Sequence, residues 1–160
     1  MKKKITIFAI LLIAALVTSS CSNVNMTSLL SYENSDYSAD MTVKYGNDTM
    51  EMNVVKNGDK YTFTIADEIT FVFDGKWQVT YGGATVSLSE KASSRAMPTL
   101  IRDALSMSPS DDWTIGETDA GGIRLYECRS DGVTLYIDAV THRPLRIETG
   151  KLTADITSFG

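Results

Sequence analysis

With 160 residues, 43% of them hydrophobic, the chain can form one domain with a real core, and a second domain is not expected. Three of its fifteen basic residues lie in the first four positions, so the rest carries twelve basic against twenty acidic side chains, a formal balance of −8. That argues against nucleic acid, which needs a basic stripe, and against broad electrostatic adhesion to anionic lipid.

The chain opens Met1-Lys2-Lys3-Lys4, continues through the apolar residues 5–17, and reaches Thr18-Ser19-Ser20-Cys21. A basic end, a short apolar run and small residues before a processing site make a secretory signal. Thirteen residues fall short of the roughly 20 that a spanning helix needs. The segment resembles the lipobox of bacterial lipoproteins. Ser19 and Ser20 fill its small positions, and Thr18 stands where an aliphatic residue is usual. The resemblance implies that residues 1–20 are removed as a signal peptide and that Cys21 carries a diacylglycerol and further acylation of the palmitate kind. The chain is then held at the extracytoplasmic face of the cell membrane. An ordinary secretory signal that happens to stop at a cysteine is the alternative. Two or three acyl chains anchor stably, at about 0.8 kcal/mol per buried CH₂. Residues 21–36, polar and rich in Ser and Asn, read as a lipidated tether with a brief helix near residues 26–30.

From Tyr37 the pattern is β. Tyr37, Ala39, Met41, Val43 and Tyr45 alternate with Ser38, Asp40, Thr42 and Lys44, so one set faces a core. Gly46-Asn47-Asp48 turns the chain, and Met50, Met52 and Val54 continue the alternation to the hairpin dipeptide Asn57-Gly58. Tyr61, Phe63 and Ile65 form the next strand. Asp67-Glu68 interrupts, and Ile69, Phe71 and Phe73 follow up to Asp74-Gly75. Trp77, Val79 and Tyr81, then Gly82-Gly83, then Val86 and Leu88 complete a meander.

Met97, Leu100, Ile101, Ala104 and Leu105 then recur at three- and four-residue spacing, one stripe of a helix. Ser93 or Ser94 is expected to cap it, with Pro98 in its first turn. Strands resume at residues 113–118, 123–129 and 133–139, around turns at Gly121-Gly122 and Ser130-Asp131-Gly132. After the turn Thr141-His142-Arg143-Pro144, residues 145–148 and then Leu152, Ala154, Ile156 and Phe159 close the chain. The expected fold is α+β: a curved antiparallel β-sheet, an incomplete barrel, with one helical lid insertion.

This layout resembles the LolA/LolB-like lipoprotein-carrier superfamily and its lipoprotein relatives. The resemblance rests on Lys56-Asn57-Gly58-Asp59-Lys60-Tyr61, on Phe73-Asp74-Gly75-Lys76-Trp77-Gln78-Val79, and on Leu135-Tyr136-Ile137-Asp138 before Thr141-His142-Arg143-Pro144-Leu145-Arg146-Ile147. The terminal strand ending in Phe159 completes it, so a LolA-like domain spans residues 37–160. It implies a half-barrel whose hollow holds acyl chains or other lipidic groups, with no catalytic residues. It also implies, from relatives in spore-forming bacteria, a non-catalytic partner role for a cell-wall enzyme.

The chemistry-bearing residues point the same way. His142, the one histidine, sits in a turn, and no Gly-x-Ser-x-Gly elbow accompanies it. Asp67-Glu68 and Asp111-Asp112 are adjacent in sequence, so they do not share a face of a strand. Cys128, in a strand-like run, reads as a small packed residue. Neither a metal nor another cofactor is expected, and the chain is not expected to be an enzyme. Phe71, Phe73, Trp77, Met97, Leu100 and Ile101 are the candidate ligand-binding residues, as walls of a hollow beneath the helix. The expected partners are the membrane through the lipid on Cys21, a lipid or lipoprotein ligand, and an envelope protein.

Overall fold

The computed structural model describes residues 24–160; residues 1–20, expected as a signal peptide, and Cys21 lie outside them. Eleven strands form one antiparallel sheet: β1 (Tyr37–Tyr45), β2 (Asp48–Asn57), β3 (Lys60–Ile65), β4 (Ile69–Phe73), β5 (Trp77–Tyr81), β6 (Ala84–Ser87), β7 (Thr114–Ala120), β8 (Ile123–Ser130), β9 (Val133–Asp138), β10 (Pro144–Thr149) and β11 (Leu152–Phe159). Their order is β6-β5-β4-β3-β2-β1-β11-β10-β9-β8-β7, so each strand pairs with its sequence neighbour except where β1 meets β11 and where β6 and β7 form the free edges. The sheet is open, not closed into a barrel.

The turns are built as the dipeptides demand. Gly58 and Gly75 sit at φ +58 and +68, the left-handed region that only glycine enters without strain. The β3–β4 turn reaches positive φ without glycine, at Ala66 and Asp67. The alternation holds along β1, where Tyr37, Ala39, Met41 and Val43 are buried, and lapses at Tyr45, which is 39% exposed at the strand's end.

Two positions in the strand order report curvature. Tyr61 on β3 and Cys128 on β8 are six steps apart, about 29 Å on a flat sheet at roughly 4.8 Å per strand. Both nevertheless belong to one buried cluster with Tyr32. The sheet therefore curls around Tyr32.

The filling of the curl corrects two expectations. Residues 24–36, expected as a tether, are packed chain. Helix α1 (Met26–Leu29), capped by the Asn25 side chain, and a 3-10 turn (Ser31–Asn34) bury Met26, Leu29, Leu30 and Tyr32 in the core. The physical reason is their apolar spacing: 26, 29 and 30 share one helical face. Beside them lies α3 (Met97–Leu105), preceded by the short α2 (Glu90–Ser93). Neither Ser93 nor Ser94 caps α3. Ser89 caps α2 instead, and α3 starts at Ala96, without a side-chain cap. Ile101, Ala104 and Leu105 are fully buried against the sheet, in one cluster with Phe63, Leu135, Ile137 and Ile147. The space under α3 is thus filled by side chains.

Candidate functional site

The cleft of interest opens where the β4–β5 hairpin end meets α2 and α3. Phe73 and Trp77 pair across the hairpin, which puts both rings on the core face with centroids 5.2 Å apart. After β6 the chain folds back, and the Leu88 amide donates to the Trp77 carbonyl at 2.9 Å. That bond brings Leu88 and α2 over the hairpin end. Across the gap, the Arg102 guanidinium lies 3.9 Å from the Phe73 ring centroid and 5.7 Å from that of Trp77. Such stacking joins a cation to the negative faces of the rings. The resulting half-open cleft holds about 470 Å³; Phe73, Trp77, Leu88, Thr99 and Arg102 line it together with Lys76, Glu90, Ser87, Ser93 and Ser94.

Of the six residues read from the sequence, Phe73 and Trp77 line this cleft. Ile101 is fully buried. Phe71, Met97 and Leu100 are half-buried and packed against the core. The hydrophobic stripe therefore marked the inner face of α3, whereas Thr99 and Arg102, one turn apart, present the cleft side. Neither is apolar, so a search for apolar periodicity passes over both. The available signal was their i, i+3 spacing beside a hairpin rich in aromatic residues.

Asp103 binds the Nε and Nη2 of Arg102, at 3.0 and 2.5 Å. Nη1 has no partner among the described residues. The Thr99 hydroxyl is buried and likewise unpartnered.

A second polar cluster surrounds the 3-10 turn. Lys56 continues the inward phase of β2 and is only 7% exposed. Its ammonium donates to the carbonyls of Glu33 at 2.8 Å and Ser35 at 3.3 Å. The Tyr61 hydroxyl donates to Oε1 of Glu33, and burial raises the Glu33 carboxyl above its ordinary range. Glu33 Oε2 is buried without a partner among the described residues, and the Tyr37 hydroxyl is buried beside that of Tyr61. These contacts hold residues 24–36 to the sheet.

His142 is a turn residue at φ +56, and its Nδ1 lies 3.2 Å from the Ser28 hydroxyl on α1. The nearby Asp138 carboxylate accepts from the amides of Val140 and Thr141, so it closes the turn. Cys128 is fully buried, and burial pushes its thiol up to about 11. Among the described residues no three metal-ligating side chains cluster, and no helix is long and apolar enough to cross a membrane.

The fold is shared with solved proteins. An uncharacterized conserved protein from Thermus thermophilus matches over 84% of both chains at a TM-score of 0.57, with 13% identity. MucB of Pseudomonas aeruginosa, solved in complex with MucA, matches over 84% of this chain at a TM-score of 0.49 and 14% identity. The match spans about half of the MucB chain, 55%. No family model and no curated protein matches by sequence. The Thermus likeness establishes the architecture, an open antiparallel sheet with helices on one face. Function has to be argued from the cleft.

Proposed function

We propose that the chain is a non-catalytic binding lipoprotein, tethered by lipid on Cys21 to the extracytoplasmic face of the cell membrane. It takes an apolar ligand, or the lipid group of a lipidated protein, into the cleft beside α3. The carrying observation is the cleft itself: about 470 Å³ with Phe73, Trp77 and Leu88 as its apolar wall. That volume lies in the range of small-molecule sites. In this reading α3 is the lid of the half-barrel, fixed on its inner side by Ile101, Ala104 and Leu105, so the ligand enters at its flank. Two residues, Ser22 and Asn23, separate Cys21 from the packed Val24. At 3.8 Å per Cα step, Val24 stands within about 11 Å of a lipidated Cys21. The domain then works against the bilayer surface.

Metabolic labelling with a fatty-acid probe tests the anchor. The wild type should label and fractionate with membranes, and Cys21→Ala should do neither. Labelling of Cys21→Ala would refute the lipoprotein reading.

A second reading, a partner protein for a cell-envelope enzyme, is favoured by one observation. The edge strand β6 carries no charge and is exposed throughout, with its own Val86 at 59% exposure and Tyr81 of the adjoining β5 at 61%. Unprotected edges pair with other chains. Pull-down from solubilised membranes with Cys21-anchored bait separates the two readings: a stoichiometric protein favours this one, co-purified lipid the first.

A further inference from the structure

The cleft holds two donors that the chain leaves unused. The Thr99 hydroxyl is at least nine-tenths buried and has no hydrogen-bond partner, a costly state that native structures rarely keep without cause. One turn later, Nη1 of Arg102 is also without a partner among the described residues, although Asp103 takes Nε and Nη2. Both residues lie on α3, whose N-terminus has no side-chain cap at Ala96. An uncapped helix start adds partial positive charge. Lys76 brings a second cation to the lining, against Glu90 as the one carboxylate there.

Resting on the cleft reading above, we propose that Thr99 and Arg102 form a carboxylate subsite. The ligand is an amphiphile whose carboxylate sits between them and whose apolar part lies along Leu88, Phe73 and Trp77. A planar guanidinium stacked on an aromatic ring presents its donors in the ring plane; with Asp103 on Nε and Nη2, the Nη1 side remains for a carboxylate. Threonine in a helix divides between two χ1 rotamers, so the Thr99 hydroxyl can swing to donate. A ligand carboxylate at this place gives a reason for a hydroxyl where valine would pack equally well.

The full chain in phosphatidylcholine vesicles, with Trp113→Phe so that Trp77 alone fluoresces, is titrated with octanoate, octanol and octylammonium. Octanoate should perturb Trp77 saturably and bind at least tenfold more tightly than octanol, with octylammonium weakest. Thr99→Val should raise the melting temperature and reduce that preference. Arg102→Met should abolish it, and Arg102→Lys should restore part of it. Equal binding of acid and alcohol by the wild type would overturn the subsite and leave apolar binding in the cleft standing. No response of Trp77 to any probe would overturn both. Undiminished preference in Thr99→Val would remove Thr99 and overturn the paired site. Acetyl-Leu-Leu with a free or an amidated C-terminus separates the sources of such a carboxylate. Tighter binding of octanoate assigns it to a free fatty acid, and tighter binding of the free-acid peptide assigns it to a chain terminus. Equal binding of the two peptide forms counts against the subsite.

Discussion

The Tyr61 hydroxyl donates a 2.5 Å hydrogen bond to Oε1 of Glu33, joining β3 to the 3-10 turn that precedes β1. The bond spans 28 residues. It makes the segment ahead of the sheet part of the fold, because the half-buried carboxylate has no other protein partner for that oxygen.

Tyr61→Phe keeps the ring stacked near Phe63 and removes the hydroxyl that meets Glu33 and lies beside the Tyr37 hydroxyl. Leaving a partly buried acceptor unmet costs about 1–3 kcal/mol. Urea unfolding should show a lower midpoint with an unchanged slope.

Glu33→Gln tests the electrostatics of the same contact. Burial raises the Glu33 carboxyl, so the folded protein holds that proton more tightly than the unfolded chain does. This contribution is complete below the ordinary carboxylate range and is lost as pH rises through the raised value. Glutamine removes it. The melting temperature of Glu33→Gln relative to wild type should therefore rise as pH is raised above the ordinary carboxylate range. A constant difference would show that Glu33 has no such shift.

Leu29→Ala distinguishes a packed segment from a tether. Leu29 is fully buried, and truncation of such a leucine costs about 2–5 kcal/mol. The same change in a solvated linker would stay within about 0.5 kcal/mol. Denaturant midpoints of the two proteins decide it.

The strands were legible because alternation and turn dipeptides state the same thing twice. Tyr37 to Val43 announces a buried face, and Asn57-Gly58 and Asp74-Gly75 announce its reversals. What escaped was set by tertiary contact. Lys56 carries on the inward phase of β2, but a lysine next to a turn reads as solvated. Nothing local says that the carbonyls of Glu33 and Ser35 wait for it. Met26, Leu29 and Leu30 suffice to signal a brief helix, but three apolar residues against a Ser- and Asn-rich background do not show that it packs into the core. Arg102 interrupts an apolar stripe, and its stacking on Phe73 depends on a hairpin 29 residues earlier in the chain. The site was thus half visible. Its aromatic wall follows from the strand pattern, and its polar wall follows only from how α3 is rotated on the sheet.

Cys128 should be chemically silent in the folded protein. It is fully buried with its thiol pushed up to about 11, and the thiolate is the reactive form. Iodoacetamide should modify it at neutral pH only when denaturant opens the domain. Rapid modification under native conditions would contradict the packing of β8.

Mass spectrometry of small molecules carried by the purified full chain tests the binding reading most directly. The comparison is between wild type and Ser93→Trp, which puts a large ring into the lining of the cleft. An apolar molecule should accompany the wild type in near-stoichiometric amount and be absent from Ser93→Trp. No bound molecule in the wild type, or the same molecule in both proteins, would contradict a ligand held in the cleft beside α3.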